Sequence, residues 1–425
     1  VYTVVPDAES FTHRRRMLAT IRGEPTDQIP WAPRMDLWYI AQRARGTLPP
    51  RFQGLDLAGI AGVLGVACRA VQADYTRPIR PDDWALRGFG IENHPDFPFR
   101  VELTDFPLEV RVAGSSMETT ITTPAGQLVT QLEIAPSMWR DGSWDPYVAQ
   151  RPIRSVDDFE AVAVLFEHLR VVPQADGYER FRLGIGESGL AVASGMSVAS
   201  PVHLMLHDLM ELDAFIYLYV DDPAAVRQLA MRIAPFFEEV LEVVTSTEAD
   251  VFMWGTNYDQ SVTWPALFRD EIAPWLTHVS ERAHERDCFV LTHADGENQA
   301  LLPNYPSCGL DVAESVCVRP MVRNTLAELR SGFGPQTTVW GGIPAIALLR
   351  DSMSDSVFET LLDDTFAELG TGERLIFGVS DNVPPDADLA RLTAISERIR
   401  AFGPVRPRRG AEAAHSRDIE DARIR

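Results

Sequence analysis

The sequence predicts an α/β fold, a single (β/α)8 TIM barrel with an N-terminal β-hairpin insertion at about 100–135. Three observations carry this expectation. Apolar runs at 181–186, 249–254, 288–292, 310–316, 337–343 and 374–379 are short, rich in Val, Ile, Leu and Phe, and do not alternate, as strands buried on both faces should not. Helix-patterned segments at 155–170, 200–218, 222–246, 264–286, 321–333, 354–369 and 386–402 separate them, which gives parallel βαβ units. Two more extended stretches, 28–38 and one within 66–80, complete eight strands.

Taken in order, residues 10–23 read as a helix capped by Ser10 or Thr12 and ended by Gly23, with Met17, Leu18 and Ile21 as its apolar stripe. Two prolines and two tryptophans make 28–38 extended. From 100 to 135 apolar and polar residues alternate around Pro124-Ala125-Gly126, the pattern of a hairpin. Residues 136–155, rich in Trp, Pro, Asp and Arg, read as an ordered loop. The barrel is expected over 11–404; the tail 405–425, of mixed charge and with little to bury, is expected to be disordered.

The 425 residues carry 39 basic against 61 acidic side chains, a formal charge of −22, and every basic residue is arginine. Without lysine there is no Schiff base, no pyridoxal phosphate anchor and no P-loop. So acidic a chain repels a phosphate backbone, so nucleic acid is not an expected partner. The longest apolar stretch, Leu57 to Cys68, is too short to span a bilayer, so no membrane is expected either. Cys68, Cys288, Cys308 and Cys317 form no CxxC pair and read as reduced thiols of a cytoplasmic protein.

In a barrel of this kind the chemistry lies at the C-terminal ends of the strands. Those positions hold Arg34, Asp36 and Trp38; Glu187 and Ser188; Asn257, Tyr258 and Asp259; His293, Asp295 and Glu297; Glu314; Gly341-Gly342; and Ser380, Asp381 and Asn382. Alternation points His293 and Asp295 to one side, where they and Asp381 or Glu314 can hold a divalent metal through nitrogen and oxygen. A histidine that only hydrogen-bonds a nearby carboxylate is the other reading. Asn257 and Asp259 either orient a polar substrate or cap the turn they occupy. Arg34 with Asp36 either grips a substrate carboxylate or forms an internal salt bridge. Cys308 and Cys317 read as small buried apolar residues.

The order of segments resembles the uroporphyrinogen decarboxylase superfamily. The likeness runs from the opening helix and RGEPTDQIPWAPR through ADVFMWGTNYDQSVTWPALFRDEIAPWL and LTHADGENQALLPNYPSCGLDVAES to GGIPAIALL and GVSDNVPPDADLARLTAISERIRAFG. It implies a barrel with its site at the strand ends. True decarboxylases carry an arginine-rich RQAGR-like stretch where this chain has RMDLWYIAQRARG, and a histidine where it has Ser380 and Asp381. METTITTPAGQLVTQ resembles the corrinoid-dependent methyltransferase branch instead, whose members often bind zinc through a His-x-Cys pair and a later cysteine. Here His293 is kept, Asp295 stands at the first cysteine position, and no cysteine lies near 378–382.

The resemblance thus implies a metal-assisted methyltransferase that moves a methyl group from a small methylated compound to a corrinoid on a partner protein. His293, Asp295 and Asp381 would hold a divalent metal, zinc among the candidates. Arg34, Asp36, Asn257, Tyr258 and Asp259 would orient the substrate, and Glu187 or Glu314 would manage a proton. A decarboxylase is the alternative; so is a non-catalytic barrel that binds a corrinoid or tetrapyrrole. A homodimer is a further expectation.

Overall fold

The computed structural model describes residues 11–407 apart from 72–74, 76 and 79; the tail expectation therefore falls almost wholly outside the described residues. Seven parallel strands form one curled sheet in sequence order: β1 (Cys68–Val71), β2 (Gly189–Ser194), β3 (Val251–Thr256), β4 (Phe289–His293), β5 (Val312–Val316), β6 (Thr338–Pro344) and β7 (Leu375–Ser380). Between consecutive strands of this sheet the chain crosses over through helices, the longest Pro223–Thr245. Among the described residues no helix is long and apolar enough to cross a membrane.

Five of the expected strands lie within two residues of observed ones, but two expectations fail. FRLGIG (181–186) is not a strand; most of it closes the helix Ala175–Ile185, and β2 is the GLAVAS run that follows. A short apolar run fits a helix face and a buried strand equally, and here the helix wins. Residues 28–38 form no continuous strand: Trp31 makes an isolated parallel bridge to Phe377, and from Asp36 the chain is helix α2 (Asp36–Arg45). Pro30 and Pro33 lack the N–H groups a full ladder needs. What remains is still informative. Ala32 N donates to Phe377 O (2.9 Å), Phe377 N to Pro30 O (2.8 Å), and Ala67 N, just ahead of β1, to Trp31 O (2.8 Å). Residues 30–32 therefore bond to the outer strand β7 on one side and to the residue preceding β1 on the other.

Residues Leu108–Ala113, Ser116–Thr123, Gly126–Glu133 and Tyr147–Gln150 form a separate four-stranded antiparallel sheet. It packs Met117 and Leu132 against Trp84, while Ile121 and Leu128 join the main core.

Alternation sorts the curled sheet into two faces. Leu190, Val192, Val251, Leu291, Val312, Trp340 and Ile376 share one buried cluster with Met17, Leu18 and Ile21. Those last three come from α1 (His13–Arg22), the predicted opening helix, which Thr12 caps and Gly23 ends in a left-handed conformation. Arg14 pairs with Asp250 just ahead of β3, and Thr338, the first residue of β6, bonds to Thr20 O, so α1 covers the strand starts. Along this face polar residues succeed the apolar layer: Ser194 follows Val192, His293 follows Leu291, and Glu314 follows Val312, each two positions on.

Candidate active site

Above the apolar layer the strand ends open into a cavity of about 210 Å³. Arg34, Arg69, Asn257, His293, Asp295 and Asp381 supply its main polar groups, while Val71, Ile91, Phe97, Phe99, Met196 and Met253 supply apolar walls. Glu92 and Asp145 also reach it.

A chain of charge runs through its floor. Arg69 comes from β1, where it points to the same side as Val71, and its side chain is 3% exposed. Its Nε donates to Glu314 Oε1 (2.7 Å), and the other carboxylate oxygen of Glu314 faces His293 Nδ1 at 2.6 Å. Burial by itself would raise the pKa of Glu314, but Arg69 and His293 outweigh it and hold the carboxyl well below the usual carboxylate range. An ionised Glu314 makes Nδ1 the protonated nitrogen, which leaves the Nε2 lone pair of His293 free to act as a ligand. Nε2 lies 3.8 Å from Asp381 Oδ1. Asp36 sits between the two arginines, 3.7 Å from Arg34 Nε and 3.8 Å from Arg69 Nη1.

The loops that follow the strands fix the carboxylates. Asp295 Oδ1 accepts from Gly296 N (2.8 Å) and from the Cys317 thiol (2.9 Å). Asp381 N donates to Ser315 Oγ, while its carboxylate accepts from Arg34 Nη1 (2.7 Å) and Asn382 Nδ2 (3.0 Å). Asn257, Ser315 and Asp381 all have left-handed backbones, with φ of 59°, 61° and 53°. That conformation costs roughly 1–2 kcal/mol per residue, less for Asn and Asp, and here it recurs at the ends of three alternate strands, β3, β5 and β7.

His293, Asp295 and Asp381 thus offer one nitrogen and two oxygen ligand atoms within 4.8 Å of one another. Ligands about 2.1 Å from a tetrahedral ion stand about 3.4 Å apart, so modest side-chain rotation closes the set. The charge also fits. Arg34 and Arg69 face Asp36, Asp295, Glu314 and Asp381, and Glu92 and Asp145 also reach the cavity, so carboxylates outnumber guanidiniums here, as a cation site requires. Imidazole with carboxylates suits zinc and other first-row divalent ions.

Several expected residues stand elsewhere. Glu187 precedes β2 at the opposite end of the strands, exposed, with its carboxylate accepting from Thr12. Tyr258 is fully buried, its hydroxyl bonded to Thr292, its ring stacked on His203. Asp259 accepts from Glu297 N (3.0 Å) and from Ser261, which ties the loop after β3 to the loop after β4. Asp36 opens α2 rather than ending a strand, and faces the two arginines from behind the cavity. Of the residues named from the sequence, Arg34, Asn257, His293, Asp295 and Asp381 line the cavity, and Glu314 braces His293. Arg69 joins them from outside the expected set; an arginine inside the apolar run GVACRAV is its signal in the sequence. Cys317, a small buried apolar residue by its sequence context, does more than pack. It is buried, and burial followed by Asp295 raises its pKa, but its thiol reaches the candidate site.

Comparisons with known proteins agree with this architecture. No curated protein matches the chain. Among solved structures, a methyltransferase from Methanosarcina mazei superposes with a TM-score of 0.55 at 14% identity, over 92% of this chain and 99% of that one, a likeness of fold. The family model described as uroporphyrinogen decarboxylase (URO-D) matches residues 117–402, two thirds of the sequence and every strand from β2 to β7, and the chain belongs to that family.

Proposed function

We propose that this protein is a metal-assisted methyltransferase that takes a methyl group from a small methylated compound and passes it to a corrinoid carried by a partner protein. The observation that carries the reading is the nitrogen-and-oxygen donor set of His293, Asp295 and Asp381 at the edge of a walled cavity. Residues 30–32 are read as the eighth stave of a closed barrel over 11–404, with the cavity at its mouth.

His293 Nε2 and the carboxylates of Asp295 and Asp381 would hold the ion, which when bound supplies Lewis acidity to the heteroatom that loses its methyl group. Glu314 keeps the imidazole in the tautomer the site needs, and Arg69 keeps Glu314 ionised, so Glu314 is an anchor and not a proton donor. Val71, Ile91, Phe97, Phe99 and Met196 exclude water around the methyl-bearing part of the substrate. Asn257 is placed to orient it. A cavity of about 210 Å³ exceeds the ~150 Å³ that holds benzene and falls below the ~300 Å³ where drug-sized pockets begin. That size supports a one-ring or smaller substrate and speaks against a tetrapyrrole.

The test is anaerobic incubation of metal-replete protein with cob(I)alamin and a panel of methoxylated and N-methylated small molecules. Methylcobalamin should form with at least one donor, and His293→Ala should abolish it. Release of coproporphyrinogen from uroporphyrinogen, or full activity of His293→Ala, would overturn the assignment.

A further inference from the structure

The metal reading leaves Arg34 in an awkward place. Its Nη1 is 2.7 Å from Asp381 Oδ1, the same oxygen that lies 3.8 Å from His293 Nε2. The second oxygen of Asp381 already accepts from Asn382. A cation approaching His293 therefore meets Asp381 at the atom the guanidinium occupies. Two full positive charges at hydrogen-bond or coordination distance from one carboxylate oxygen repel each other strongly away from bulk water.

We propose that Arg34 is the site's resident counter-cation, and that metal and guanidinium occupy Asp381 in turn. Without metal, Arg34 neutralises Asp381. When metal enters, the guanidinium gives up Asp381. The structure supplies a second position for it: Nε is already 3.7 Å from Asp36 Oδ2, and the guanidinium carbon is 5.4 Å from the centre of the Tyr75 ring. Only the side chain has to move, because Val383 N donates to Arg34 O (2.7 Å) and fixes that backbone beside the loop bearing Asp381. Asp36, shared with Arg69, then carries both arginines. Arg34 in this role is a positioning residue that sets how tightly the metal is held.

The proposal rests on the metal reading, and one titration separates the two. Affinities of Co²⁺ and Zn²⁺ are measured by chelator competition for the wild-type chain, Arg34→Gln, Asp381→Asn and the double variant. Arg34→Gln should bind metal about 10- to 100-fold more tightly than wild type, the range set by one hydrogen bond between charged groups. In the Asp381→Asn background the same change should alter affinity less than about threefold, because the contested oxygen has lost its charge. Arg34→Lys keeps the charge without the planar fork; it should fall between, and carries the test if Arg34→Gln does not fold. Unchanged or weaker binding by Arg34→Gln overturns the proposal, as does an equal gain with and without Asp381. In both cases the metal site stands. Failure of wild type and Arg34→Gln alike to bind either ion removes the metal reading and this inference with it.

Discussion

Glu314→Gln tests the part of the site that the structure specifies most tightly. The carboxylate serves two donors at once, Arg69 Nε at 2.7 Å and His293 Nδ1 at 2.6 Å, with its side chain 3% exposed. An amide fills the same space but has only one acceptor oxygen. If that oxygen stays on Arg69, the NH2 group faces His293 and forces the ring proton to Nε2. If it turns to His293, Arg69 meets an N–H group instead and, among the described residues, keeps Asp36, 3.8 Å away. Breaking one partner of a buried ion pair costs about 3–5 kcal/mol. At an unfolding entropy of roughly 2.1 cal/mol/K per residue, a chain of this length loses about 3–6 °C of melting temperature for that cost.

The pH dependence follows from the direction of the Glu314 shift. The folded-state pKa lies below the ordinary value of 4.5, so the carboxylate stabilises the fold fully above that pH, and the contribution fades as pH falls below it. Differential scanning calorimetry of both proteins at pH 7 and between pH 5 and 3.5 checks this: the wild-type advantage should be full at pH 7 and shrink over the acid range. Because the amide disturbs the tautomer of His293, metal affinity should also drop about 10- to 100-fold. A variant with unchanged melting temperature at pH 7 and unchanged metal affinity would refute the chain from Arg69 through Glu314 to His293.

Two further outcomes are expected. Burial pushes the thiols of Cys68, Cys288 and Cys308 up to about 12, and burial with Asp295 raises Cys317 as well; Ellman's reagent at pH 8 should find all four slow in the native protein and fast in denaturant. One fast native equivalent contradicts the placement of at least one cysteine. Gly255 has φ of 79°, and a Cβ there would collide with the Tyr258 hydroxyl, so Gly255→Ala should destabilise by at least about 2 kcal/mol in urea unfolding; no change in the midpoint would contradict the packing of Tyr258 under the β3 end.

How far the sequence could be read is clearest strand by strand. ADVFMW, CFVLT, LDVAESV, TTVWGGI and RLIFGV are long enough, and flanked by clear enough helices, to be recognised as β3 to β7. GLAVAS escaped because alanine and glycine dilute its hydrophobic signal, while the neighbouring FRLGIG imitated a strand. That one misplacement put Glu187 at the wrong end of the molecule, since the strand that follows it runs away from it toward the cavity. His293 is legible as the polar end of an apolar run, whereas Asp295 lies in the loop after β4, where Gly296 N and the Cys317 thiol hold its carboxylate.

What the amino-acid sequence determined by itself was local. Periodicity marked most of the strands and helices, the arginine-only cationic complement excluded whole chemistries, and polar residues after apolar runs pointed to the strand ends. Tertiary structure decided which of those ends converge and who partners whom. Arg34 and Asp381 are 347 positions apart, and Arg69 and Glu314 are 245 apart. Period and propensity act over a few residues, whereas these pairs exist only because the sheet curls and brings its first and last strands to one cavity. The excess of carboxylates that suits a cation, and the contest between Arg34 and metal for one oxygen, are properties of that convergence.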